Sequence, residues 1–160
     1  MKNLTFLFLI IFIYACSTKK DSFLNREYHK LNSKYNVLFN GYEALEIGKE
    51  VLYQNKTENF YKILEIEPIK IKNEDYEKSS LIPSFKLAEE KAVKTIQKHS
   101  MRINGIQRNS QIAKAYLLLG KARYYDRRFF AAMEAFNFLL VQYSNEDVFV
   151  EAKIWREKTN

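Results

Sequence analysis

Cysteine occurs once in this chain, histidine twice and proline twice. The single thiol, Cys16, excludes an internal disulfide framework and any metal site built from several thiolates. Two prolines and four glycines are too few for a loop-rich β protein and favour helices. There is no glycine-rich phosphate loop and no Gly-x-Ser-x-Gly nucleophile turn. His29 and His99 lie far apart in sequence, and neither has an acid–base partner nearby. His29 reads as a helix-surface residue, and His99 as a helix-end cation favoured by the dipole. Glu89-Glu90 reads as a solvated helix face. No catalytic residue, metal site, cofactor or small-molecule substrate is therefore expected. Charge of one sign is never concentrated either. The net +7 is spread among mixed Lys, Arg, Glu and Asp, and the basic-aromatic platforms of nucleic-acid modules are missing.

What is present begins at the N-terminus. Met1-Lys2-Asn3 is a short positive start, and Leu4 to Tyr14 is almost purely apolar. That run is too short for a bilayer core, which needs about 20 residues, and it fits the apolar region of a secretory leader. An uncleaved anchor with an incidental cysteine is the alternative. The run ends at Ile13-Tyr14-Ala15-Cys16, followed by Ser17-Thr18-Lys19-Lys20-Asp21. This ending resembles the lipobox of bacterial lipoproteins, although Tyr14 is bulkier than that pattern prefers. The resemblance implies cleavage between Ala15 and Cys16 and acylation of Cys16, palmitate included. Residues 1–15 are then a signal peptide and 16–22 a lipidated tether. Losing Lys2 lowers the formal charge from +7 to +6. Ser17 after the cysteine resembles an outer-membrane address of such lipoproteins, which implies an anchored body facing the periplasm.

Residues 23–54 carry a heptad pattern. Leu24, Leu31, Leu38, Leu45 and Leu52 recur every seven residues, with Tyr28, Tyr35 and Tyr42 between them. Such spacing predicts helix, interrupted by Asn40-Gly41, a helix-ending signal. The seam suits either a coiled-coil partner or packing on the chain's own body, and its tyrosines favour the second. Residues 55–83 read as a linker with an extended stretch over 66–71 and a charged loop over 72–80. Pro68 and Pro83 push Glu67 and Ile82 toward extended geometry.

From residue 84 to 160 the pattern is helical. Ser84 is expected to cap a helix from Phe85 to about Ser100, whose periodic face includes Leu87, Ala88, Ala92, Thr95 and His99. Asn109 or Ser110 can cap a second helix with the face Ile112, Ala115, Tyr116, Leu119 and Ala122. The charged turn Asp126-Arg127-Arg128 leads to a third helix presenting Phe129, Ala132, Phe136, Leu140 and Tyr143. This hairpin resembles one tetratricopeptide repeat. Tyr116 and Tyr124 stand at aromatic positions, and Leu119-Gly120 at the Leu-Gly pair. Phe129 opens the second helix, Ala132 is its small residue and Phe136 its later aromatic. Gly120 and Ala132 are expected to face each other across the close contact. Arg127 departs from the repeat by replacing the turn glycine, Ser144 by replacing proline. A second repeat begins near Asp147, with Ala152 and Trp155, and its apolar face, Ile154 and Trp155 included, is expected to be an unfinished edge. The fold class expected is all-α, the start of an α-solenoid of tetratricopeptide-type hairpins behind a lipoprotein signal. Stacking needs about three repeats, so the chain reads as the N-terminal portion of a longer array.

Several segments together resemble the start of the gliding-motility lipoproteins of Bacteroidota, the SprE/PorW type. They are Tyr35-Asn36-Val37-Leu38-Phe39-Asn40-Gly41, Ile66-Glu67-Pro68-Ile69, Ala88-Glu89-Glu90-Lys91-Ala92-Val93-Lys94, Ile96-Gln97-Lys98-His99-Ser100-Met101, and Ala115 through Tyr125. The resemblance implies a non-catalytic scaffold for type IX secretion and gliding motility. Its implied partners are secretion or motility machinery proteins, with the membrane held through the lipid. Degenerate repeats behind a lipobox also occur in general outer-membrane assembly lipoproteins, which is the alternative. A cell-wall enzyme is disfavoured by the missing acid–base pair.

Overall fold

The computed structural model describes residues 18–54, 56–61, 63–64, 67, 69 and 82–160. The expected leader, Cys16, the expected loop over 72–80 and most of the expected extended stretch over 66–71 lie outside the described residues. Helix α1 (Phe23–Leu31) continues through a π-helical stretch (Asn32–Leu38) into α2 (Phe39–Gln54). There follow α3 (Pro83–His99), α4 (Gln111–Tyr125), α5 (Phe129–Gln142) and α6 (Phe149–Thr159). The protein is mostly helical. Among the described residues no helix is long and apolar enough to cross a membrane. Packing runs chiefly between sequence neighbours, α2 on α3, α3 on α4, α4 on α5 and α5 on α6.

One small sheet lies between α3 and α4. Strands β1 (Arg102–Ile103) and β2 (Ile106–Gln107) pair antiparallel, with Arg102 opposite Gln107 and Ile103 opposite Ile106. Asn104 and Gly105 link them with φ of 50° and 79°. Two successive positive φ values make the tight hairpin turn for which Asn-Gly is the preferred pair. The helical reading of 84–160 missed this hairpin, although the Asn104-Gly105 dipeptide signals it.

The heptad seam does not stay on one face. Leu38, Leu45 and Leu52 are buried, whereas Leu24, Leu31, Tyr28 and Tyr35 are exposed. The π stretch is the cause. Its i→i+5 bonding turns the chain more slowly than an α-helix, so residues before it rotate out of phase with those after it. Asn25, His29 and Ser33 are buried instead. Asn40-Gly41 does not end the helix. A Cβ on Gly41 would meet Leu118 Cδ2 at 2.8 Å and Lys91 Cβ at 3.0 Å, so glycine there permits a close crossing.

Helix α3 starts at Pro83 after an extended Ile82 with φ −88° and ψ 109°. Proline at the first helical position has its φ preset and lacks an N–H that would have had no partner. Ser84 is therefore inside the helix and caps nothing. Phe85, Ala88, Ala92 and Thr95 form the buried face, while Leu87 is exposed.

Asn109 ties the elements together and is fully buried. Its Oδ1 accepts from Gln111 N at 3.1 Å, which caps α4, whereas Ser110 makes no side-chain cap. Its Nδ2 donates to Ser33 Oγ at 3.2 Å and to the His99 carbonyl at 2.9 Å. Gln107 Oε1 accepts from Asn109 N at 3.1 Å and from Met101 N at 2.8 Å. One amide side chain thus joins the π stretch, the end of α3 and the start of α4, with both side-chain donors and its acceptor satisfied.

Candidate interaction body

The hairpin α4–α5 is organised by the absence of a side chain at Gly120. A Cβ there would lie 2.3 Å from Phe136 Cε1 and 2.6 Å from Cζ. Phe136 is fully buried, and its ring is what a side chain at Gly120 would meet first. Ala132 is also fully buried, one helical turn earlier on the Phe136 face of α5. Leu119 is buried at the same crossing.

Aromatic rings fill the remaining space. Tyr124 meets Phe129 edge-on at 5.4 Å and Trp155 edge-on at 5.4 Å. Phe136 stacks on Trp155 at 6.4 Å, and Phe85 on Tyr125 at 5.7 Å. Tyr116 lies outside this cluster, tilted against Phe138 at 4.5 Å. Trp155 therefore joins α6 to the hairpin and is not part of an unfinished edge, whereas Ile154 is exposed at 62%.

Glu67 reaches this cluster from the linker. Its carboxylate accepts from Tyr124 Oη at 2.9 Å and Tyr125 Oη at 3.4 Å, and pairs with Lys158. Burial and the Glu67 charge push both phenols well above the ordinary tyrosine range, so they remain protonated donors. Lys158 Nζ also sits 4.5 Å over the Trp155 ring, and Lys121 Nζ 5.2 Å from it. These contacts hold linker, hairpin and last helix in register.

The turn of the hairpin is pinned to α3 by charge. Arg123 Nε donates to Glu89 Oε1 at 2.8 Å, and Arg128 donates to both Glu89 oxygens. Arg128 Nε also donates to Asp126 Oδ2 at 2.8 Å. Glu89 is thus a partly buried anchor and not a solvated residue, which corrects its reading beside the exposed Glu90. Burial alone would raise its pKa, and the hydrogen bonds and charges of Arg128 and Arg123 outweigh it and hold the carboxyl below the ordinary range. Arg127 adopts φ 64°, the left-handed conformation that glycine takes without penalty and that costs other residues about 1–2 kcal/mol.

The two histidines meet. His29 Nδ1 lies 3.1 Å from His99 Nδ1, and His29 is buried. Both expectations for them are corrected: His29 is not at the surface, and His99 is not a stabilised cation. Burial, then the neighbouring His29 and Lys94 charges, lower the His99 pKa, and burial lowers that of His29. At this distance an Nδ1–H of either ring can be donated to the Nδ1 of the other, whereas a doubly charged pair would set two N–H groups against each other. Both folded values lie below the free imidazole's 6.5, so the unfolded chain takes up protons first. Stability from this pair is full above that pH and declines as the pH falls below it. The melting temperature should therefore drop between about pH 7 and pH 5, and by less in a His29→Gln, His99→Gln chain. Parallel pH profiles for the two chains would contradict this.

Among the described residues no group of three or more His, Cys, Asp or Glu is placed to hold a metal. An open cleft of about 240 Å³ lies between the β hairpin and the turn after α5, lined by Arg102, Gln107, Gln142, Tyr143 and Glu146 among others. Its groups form no nucleophile–base pair. Neither a known protein family nor a characterised protein matches this chain in sequence.

Proposed function

We propose that the chain is an outer-membrane lipoprotein, anchored through Cys16 and facing the periplasm, whose helical body is a binding scaffold for type IX protein secretion and gliding motility. The observation that carries this reading is the α4–α5 hairpin behind a lipobox-like leader. Gly120 lies against Phe136, Trp155 of the next helix closes the aromatic cluster, and Arg127 at φ 64° occupies the turn position where a tetratricopeptide repeat has glycine. We read the hairpin as such a repeat, with α6 as the first helix of the following one. Contacts made chiefly between successive helices suit a solenoid, in which each element binds its neighbours and leaves the outer faces for partners.

Tethering would raise the local concentration of this body near membrane-embedded secretion components. Its own side chains make and break no bond in this mechanism. Deleting the gene in the native host should block release of type IX cargo and surface adhesins and leave β-barrel assembly intact, read by secretome and outer-membrane proteomics. If barrel proteins fail first and cargo export only later, the protein serves general outer-membrane assembly instead.

A further inference from the structure

Helix α1 is built inside out for a helix on an aqueous surface. The side it turns to the body carries Asn25, His29 and Ser33, all buried. The side it turns outward carries Phe23, Leu24, Tyr28 and Leu31, continued through Tyr35 to Phe39. Leu24 is 77% exposed, Leu31 52% and Phe39 54%. The spacing from Leu24 to Phe39 keeps these residues on one stripe across the π stretch. An apolar stripe of this length on a helix whose inner face is polar calls for a low-dielectric partner.

Charge and position identify that partner. Between residues 19 and 39 the basic side chains are Lys19, Lys20, Arg26, Lys30 and Lys34, against the acidic Asp21 and Glu27. Arg26 pairs with Asp21 and Lys30 with Glu27, and the segment keeps a net positive charge; an apolar stripe on a net cationic segment suits a helix lying at a bilayer interface, with tyrosine rings at headgroup level. A second copy of this chain would bring the same cations against it, which disfavours self-pairing. Cys16 precedes the helix by only the short segment 17–22, so an acylated Cys16 would hold α1 within roughly 25 Å of the lipid surface.

We infer that the outward stripe of α1 docks on the phospholipid surface of the membrane that holds the anchor, laying the helix flat and fixing the orientation of the body above it. The inference rests on the lipid anchor proposed above, and one experiment separates the two. In the acylated protein the Cys16 thiol is blocked, so a Leu31→Cys chain carries a single reactive thiol for an environment-sensitive dye. Parent protein that itself takes up dye shows that the anchor reading has failed. In that case the docking question is put to a Cys16→Ala, Leu31→Cys chain. Proteins are studied in vesicles of phosphatidylethanolamine and phosphatidylglycerol. Dye at position 31 should brighten about threefold or more on entering the interface, while dye in an Ile154→Cys chain stays unchanged. An added Leu24→Glu substitution should abolish the brightening without releasing the acylated chain from the vesicles. Equal emission from positions 31 and 154 overturns the inference. So does efficient cross-linking of two position-31 thiols with no brightening, which would make a second copy the occupant.

Discussion

Replacing Gly120 with leucine should destabilise the protein by about 3 kcal/mol, at the upper end of the range for overpacked cores. Even one methyl group would sit 2.3 Å from the Phe136 ring. That ring has nowhere to go, because Phe136 is fully buried and backed by Trp155. Helix propensity acts in the opposite direction, since glycine inside a helix costs about 1 kcal/mol relative to better formers. The steric term wins because it involves an entire side chain at a helix crossing and not one backbone position. The melting temperature should fall by roughly ten degrees. Shortening the opposed ring tests the cause. Gly120→Ala combined with Phe136→Leu should be less destabilised than the two single changes predict together. Additive losses, or a Gly120→Leu chain that melts like the parent, would mean that the α4–α5 contact is not set by this pair.

Cys16→Ala should abolish labelling by a palmitate analogue and leave full-length precursor in place of the processed form. Each buried methylene of an acyl chain adds about 0.8 kcal/mol to membrane binding, so several chains make anchoring effectively permanent, and their loss removes it. The type IX function proposed above would fail with it, because a scaffold that diffuses away loses its effective concentration at the membrane. Labelling and processing that persist in the Cys16→Ala chain would refute the lipobox and with it the outer-membrane address.

The pair of helices α4 and α5 was legible because its determinants are local. The apolar period from Ile112 to Ala122 and from Phe129 to Leu140 defines two helices, and a charged turn too short for anything else joins them. Long-range partners were not legible. His29 and His99 touch, Glu67 caps two tyrosines, and Glu89 binds Arg123 and Arg128, yet each pair is joined only when distant elements come into register. The Asn104-Gly105 turn was readable in principle, and a helical reading of the region passed over it.

The first helix marks the boundary between the two kinds of information. Its heptads by themselves determined that residues 23–54 are helical, since leucine and tyrosine at this spacing are compatible with little else. They could not determine which face turns inward. A π stretch inserted at Asn32–Leu38 rotates the first half of the pattern away from the second. Whether such a stretch forms depends on what the surrounding body offers: Asn109 waiting for Ser33, His99 for His29, and Leu118 close above Gly41. Periodicity is a property of one segment, whereas phase is a property of a contact. The tertiary structure therefore decided that Leu38, Leu45 and Leu52 enter the core while Leu24 and Leu31 face outward.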